Sequence, residues 1–149
     1  MSASDVSAST TIAAPPAVVF AILADPRQHA RIDGSGTVQG SVSGPERLVL
    51  GSEFGMSMKI GAKYRTKNKV VEYDEGRLIS WRHFGQHRWR YDLEPVDGGT
   101  LVTETWDISH CNGLNKAVLG LLGYEKRHQK GIEATLVKLK AAAEADAAV

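Results

Sequence analysis

The sequence predicts an α+β domain in which an antiparallel sheet of about seven strands packs against a long C-terminal helix. Three observations predict it. Between Thr37 and Ser109, short strand-like runs are divided by Gly, Pro and Asp, with no helical crossover among them. From Tyr124 to about Ala145 runs the longest helical pattern in the chain. Glycine accounts for 15 of 149 residues, above the usual ~7%, and such an excess favours turns and bent strands.

Val6 to Ile12 alternates Ser and Thr with small or apolar residues and reads as the first strand. Pro15-Pro16 ends it and suits the first turn of a helix, where a missing N–H costs nothing. Ala17 to Ala24 continues as a short apolar helix, with Val18, Val19, Ile22 and Leu23 at buried-face spacing. Asp25-Pro26 caps a second short helical piece reaching Ile32, and Asp33-Gly34-Ser35-Gly36 reads as a turn. The later strands are Thr37–Ser43, Ser52–Ile60, Lys63–Tyr73, Leu78–Phe84, His87–Pro95 and Thr100–Ser109. Asp74-Glu75-Gly76, Gly85-Gln86 and Asp97-Gly98-Gly99 are their tight connections. Residues 110–123, with Gly113, Gly120 and Gly123, read as a loose lead-in to the final helix. At ~1.5 Å per residue that helix spans ~33 Å, enough to cross a small domain.

Strand parity follows from charge. Lys63, Arg65, Lys67 and Lys69 share one strand face, and four desolvated cations in a row would be prohibitive. The opposite face, with Tyr64, Thr66, Asn68 and Val70, is therefore the inner one. The same reasoning turns Phe54, Met56, Met58 and Ile60 inward, with Ile79, Trp81 and His83, and with Trp89, Tyr91 and Leu93. Glu104 shares a face with Val102, Trp106 and Ile108 and is a candidate buried carboxylate. On the long helix, Tyr124, His128, Ile132, Leu136 and Leu139 form one stripe.

The resulting inner surface is apolar but interrupted by polar groups. Phe54, Met56, Met58, Trp81, Trp89, Tyr91, Trp106 and Ile132 supply bulk, while Thr66, Asn68, His83, Glu104, Tyr124 and His128 supply hydrogen-bonding tips. An unpaired buried polar group costs ~1–3 kcal/mol, whereas a ligand cavity is mostly apolar with a few polar groups. These fourteen side chains are the candidate cavity lining. His128 reads either as a ligand contact or as a core histidine satisfied by Tyr124 or a backbone carbonyl. Glu104 reads either as a proton-transfer group or as a carboxyl paired with a cation or hydroxyl.

Other chemistry finds little support. A single cysteine, Cys111, excludes an intramolecular disulfide and a Cys-based zinc cluster and reads as an inert thiol. His83 and His87 straddle a hairpin turn, and no third metal ligand is evident. Ser52 stands one place too early for a nucleophile elbow, and no phosphate loop or dinucleotide fingerprint is present. No metal and no cofactor is expected, and no catalytic residue is assigned. Lys plus Arg number 18 and Asp plus Glu 17, for a net charge of +1, so bulk charge selects no partner. Locally, residues 59–90 carry nine basic and three acidic residues. That outer patch reads either as a solvated sheet surface or as a site for RNA or an anionic surface; nucleic acid is not the expected partner. The longest apolar stretch, Ala13 to Ala24, is too short and proline-broken for a membrane span, and the first residues lack a signal-peptide pattern. A cytoplasmic monomer or homodimer is the expectation.

The order strand, two short helices, six strands and a long helix resembles the SRPBCC superfamily of START-like, helix-grip proteins, in its polyketide cyclase/dehydrase and lipid-transport branch. The strings that carry the resemblance begin with Ile12-Ala13-Ala14-Pro15-Pro16, then Val19-Phe20 and Asp25-Pro26. They continue with Leu78-Ile79-Ser80-Trp81, Tyr91-Asp92-Leu93-Glu94-Pro95 and Gly98-Gly99-Thr100-Leu101-Val102-Thr103-Glu104, and Leu136, Leu139 and Lys140 match the usual end of the long helix. The resemblance treats 1–149 as one domain, ordered over about 6–145. It implies a curved sheet gripping the helix around a hydrophobic cavity, and a small apolar ligand, lipid or aromatic polyketide-like. Members range from carriers to aromatase/cyclases with no shared catalytic signature, so a cyclase/dehydrase using cavity His, Glu or Tyr for proton transfer is the alternative.

Overall fold

The chain runs as β1 (Val6–Ile12), α1 (Pro16–Leu23), a 3-10 turn (Pro26–Gln28), α2 (His29–Ile32), β2 (Val38–Ser43), β3 (Glu53–Ile60) and β4 (Ala62–Asp74). It continues as β5 (Leu78–Arg82), β6 (Arg88–Val96), β7 (Gly99–Asp107), α3 (Gly113–Leu121) and α4 (Tyr124–Ala147). The computed structural model describes residues 5–36, 38–60, 62–82 and 86–148, with backbone alone at 39–42, 59–60 and 63–65. His83 and Phe84 lie outside the described residues, as do the side chains of Ile60, Lys63, Tyr64 and Arg65.

Among the described residues the strands form one antiparallel seven-stranded sheet in the order β1-β7-β6-β5-β4-β3-β2. Strands β2 to β7 are a simple meander, as short turns require. The first strand instead crosses to the far edge and pairs with the last, Val6 opposite Trp106 and Ile12 opposite Thr100. Helices α1 and α2 carry the chain back from that edge to β2. Register shifts in β2 and between Val70 and Glu72 in β4 interrupt the ladder; such bulges bend a strand and increase its twist.

The side chains expected to face inward are buried or partly buried wherever they are described, but Ser80, expected on the outer face, is buried as well. Phe54, Met56, Val70, Ile79, Trp81, Tyr91, Leu93, Val102, Trp106 and Ile108 are buried, and Met58 and Trp89 pack partly buried against them. From the helices come Val19, Phe20, Ile22, Leu23, Ile32, Ile132, Leu136 and Leu139. Each fully buried large side chain contributes about 1.5–3 kcal/mol.

Helix α4 is fastened to the first quarter of the chain. The Lys140 ammonium donates to the Thr11 carbonyl at 3.0 Å, and the Glu144 carboxylate accepts from the Ala13 N–H at 2.8 Å. Arg31 at the end of α2 makes a two-pronged pair with Asp146, at 3.0 and 2.9 Å. Beside it the Gly34 N–H donates to Thr135 Oγ1 at 2.9 Å. The chain passes so close there that a Cβ on Gly34 would stand 2.3 Å from the Thr135 nitrogen.

Residues 110–123 depart from the expectation of a loose lead-in, because they contain α3. Asn112 caps it, its Oδ1 accepting from the Asn115 N–H at 2.8 Å. Two glycines lower its intrinsic propensity, and none of its residues is buried. The inward apolar stripe that marks other helices is therefore missing.

Candidate functional site

The inner face of the sheet carries three neighbouring groups of side chains. At the β3–β4 end an open groove of about 440 Å³ runs past Ser43, Glu53, Gly55 and Lys67. Of these, Glu53, Gly55 and Lys67 have the outward parity, while Phe54, Met56 and, on the next strand, Thr66 are buried on the inner side. Asn68 lies buried beside them, its Nδ2 reaching the Thr66 hydroxyl at 3.4 Å and the Phe54 carbonyl at 3.5 Å. Both contacts are at the long limit of a hydrogen bond.

The second group is a chain of rings centred on His29, a residue the sequence reading did not single out. The imidazole stacks on Trp81, with centroids 4.7 Å apart and planes 16° apart, and meets Phe54 edge-on at 5.4 Å. Trp81 in turn contacts Tyr91 at 5.5 Å. The Asp25-capped 3-10 turn delivers His29 under the sheet, and its Nε2 bonds the Leu23 carbonyl at 2.9 Å. Burial lowers its pKa to about 4, against the opposing pull of the Leu23 carbonyl and of Asp25, so the ring is neutral. The available signal was the i, i+3 pair His29 and Ile32, both buried.

Tyr91 leads to the third group, on β7. It stands opposite Glu104 in the β6–β7 register, its hydroxyl turned towards the Glu104 carboxyl. Burial raises the Glu104 pKa to about 8; the Tyr91 hydroxyl pulls it back and the charge of Asp33 adds to the rise. Burial and the Glu104 carboxyl push the Tyr91 phenol well above its ordinary range. At neutral pH both groups carry their protons. Glu104 Oε1 and, two residues along the same face, Trp106 Nε1 are buried without a hydrogen-bond partner among the described residues.

His128 completes this region from α4. It sits 4.4 Å from the Trp106 ring, edge-on to Trp89 at 5.0 Å and stacked with Tyr124 at 5.5 Å. Burial lowers its pKa to about 4, with His87 and Arg127 adding to the effect, so it too is neutral. Ile132, one turn further on, is buried. Trp89, Tyr91, Glu104, Trp106, Tyr124 and His128 thus gather at the β6–β7 end, and Phe54, Met56, Thr66 and Asn68 at the β3–β4 end. Met58 packs partly buried at the core's margin.

The outer face is less free than its composition suggests. Arg90 pairs with Asp92 at 2.9 Å and with Glu72 at 3.3 Å, and Arg88 approaches Glu72 at 3.8 Å. Lys67 reaches Glu53 only at 3.6 Å, and both are exposed. Cys111 is buried, and that burial pushes its thiol up, which suits an inert role. No helix among the described residues is long and apolar enough to cross a membrane.

Comparison with known proteins bears on this arrangement. The family model described as polyketide cyclase / dehydrase and lipid transport matches residues 3–144. An uncharacterized protein of Mycobacterium tuberculosis, Rv0088, is 45% identical over 139 residues, covering 90% of this chain and 62% of the relative. The chain therefore spans less than two thirds of that relative's length. Among solved structures, protein NE0264 from Nitrosomonas europaea superposes with a TM-score of 0.71 at 17% identity, covering 97% of each chain. The polyketide-cyclase-like protein Cgl2372 from Corynebacterium glutamicum does so with a TM-score of 0.63 at 20% identity, over 95% of this chain and 92% of that one. At such identities the structures speak for the helix-grip fold alone, but the family model takes in nearly the whole sequence. The chain belongs to the polyketide cyclase/dehydrase and lipid transport family of the SRPBCC superfamily.

Proposed function

We propose that the chain binds a small, mainly apolar molecule whose polar end carries a hydrogen-bond acceptor, held between the inner face of the sheet and α4. The observation that carries this reading is the pair of unpartnered buried atoms on β7, Glu104 Oε1 and Trp106 Nε1. Each unsatisfied buried group costs ~1–3 kcal/mol, a cost that a ligand atom would remove. Their chemistry selects the ligand. Trp106 offers only a donor, and Glu104, protonated at neutral pH, offers its O–H. Two donors on residues about 7 Å apart along the backbone of one strand face suit carbonyl, ester or ether oxygens better than an ammonium or an amide N–H. The surrounding rings of Trp89, Tyr91, Trp106 and His128 offer flat apolar contact, which fits an aromatic or polyketide-like body. Met56 and Met58 lie on the same inner face, and methionine adapts its shape to varied ligands.

A binding role fits the geometry better than proton-transfer catalysis. Tyr91 and Glu104 face each other, and His128 is neutral and surrounded by rings.

The test is mass spectrometry of an organic extract of the purified protein, with displacement of 1-anilinonaphthalene-8-sulfonate by whatever is extracted. The expected result is an apolar, carbonyl-bearing molecule whose binding weakens about tenfold in Trp106→Phe, the worth of one hydrogen bond. An empty extract with no dye uptake would overturn the reading, as would binding that Trp106→Phe leaves unchanged.

A further inference from the structure

Helix α3 turns its apolar residues away from the core. Leu114 is 74% exposed, Val118 46%, Leu121 86% and the C-capping Leu122 63%. Leu114, Val118 and Leu121 recur at i, i+4 and i+7, so they share one outward arc, while Leu119 packs against the core. A lone exposed leucine is ordinary, but four on one short helix and its cap form an apolar patch that marks an interaction surface.

Charge identifies what covers the patch. Lys116 lies on the helix, and Lys126, Arg127 and Lys130 are exposed on the first two turns of α4. Between residues 112 and 131 the lone acidic side chain is Glu125. None of these four cations enters an ion pair among the described residues, in contrast to Arg88 and Arg90 of the sheet face. A second copy of the chain meeting this face symmetrically would bring the same cations together. An anionic lipid surface would take both features at once, apolar side chains below the headgroups and cations level with them.

The attachment of α3 suits this role. Gln86 Oε1 accepts from the Asn112 N–H and from Asn115 Nδ2, both at 2.8 Å, and so holds the N-terminal end of the helix. At the other end Gly123, with φ of +71°, breaks the chain before α4, and a Cβ there would meet nothing within 4 Å. The helix can sink into a surface without disturbing the sheet behind it.

We propose that α3 and the first turns of α4 form a docking site for an anionic membrane surface, independently of whether the interior takes a ligand. The test is co-sedimentation of the intact chain with phosphatidylcholine vesicles, with and without about 30 mol% phosphatidylglycerol. Binding is expected to the anionic vesicles, at least about tenfold weaker to the neutral ones and weakened at about 0.5 M salt. Two double variants, Leu121→Ser/Leu122→Ser and Lys126→Glu/Lys130→Glu, should each lose about tenfold or more. All four positions are exposed, and circular dichroism checks each fold. Absence of binding would overturn the proposal, as would equal binding to both vesicle types or binding that survives in both variants. A concentration-dependent dimer abolished by the serine variant, without vesicle binding, would assign the face to a second copy and overturn it as well.

Discussion

Tyr91 and Glu104 stand directly opposite each other across β6 and β7, and the Tyr91 hydroxyl faces a carboxyl whose Oε1 has no hydrogen-bond partner among the described residues. Burial, not a neighbouring acid, is the main reason this carboxyl holds its proton. The pair makes the molecule's stability a function of pH.

Glu104 titrates near 8 when folded and near 4.5 when unfolded. Between those values the unfolded chain has lost a proton that the folded chain keeps, so stability falls as pH rises and the loss is complete above about 8. Its upper limit is roughly 5 kcal/mol. Urea unfolding at pH 6 and pH 9 should show this loss, and Glu104→Gln should abolish most of it.

His29 gives the opposite limb. Its pKa is about 4 when folded and 6.5 when unfolded, so stability falls as pH drops through that interval, by about 3 kcal/mol. His29→Phe keeps an aromatic ring at the Trp81 contact and should flatten the acid limb. It also leaves the Leu23 carbonyl without its partner, at a cost of about 1–3 kcal/mol at pH 7. With His128 displaced the same way, the wild-type chain should be most stable near pH 6.5, as read by thermal midpoints across pH.

Two glycines facing one another across the α2–α4 contact should respond in opposite directions. Gly34→Ala would set a Cβ 2.3 Å from the Thr135 nitrogen and should cost about 2–4 kcal/mol in chemical unfolding. Gly131→Ala places its Cβ 3.9 Å from Ser35, an ordinary contact. Within α4 it should stabilise by about 0.5–1 kcal/mol.

On the outer sheet face, Arg90 and Lys67 should differ. Arg90 is two-thirds buried at its side chain and joined to both Asp92 and Glu72, so Arg90→Ala should lower stability by about 1 kcal/mol. Lys67, 76% exposed and 3.6 Å from Glu53, should give no measurable change on replacement by Ala.

The meander of β2 to β7 was legible from its short turns, and its facing from the alternation of charge and apolarity, a local signal. The pairing of β1 with β7 joins distant residues and was not. Lys67 and Lys69 mark their strand's wet side, and Val102, Trp106 and Ile108 pull Glu104 inward with them. The length of α4 was legible from the stripe Ile132, Leu136, Leu139. Two further features were not. Helix α3 breaks the rule that apolar residues face the core, so Leu114, Val118 and Leu121 read as shapeless rather than helical. His29 is buried by a turn between two short helices, and its stacking on Trp81 joins residues 52 positions apart, which no local pattern records.

Strand β1 is held on one side by β7 and on the other by α4, through Lys140 on Thr11 and Glu144 on Ala13. Strand β1 thus has no strand partner until β7 has been made. Such distant closure slows folding and leaves greasy segments uncovered during translation. Chaperone dependence of the nascent chain should accordingly persist until β7 and α4 have emerged, and cutting away the last turns of α4 should loosen β1 first.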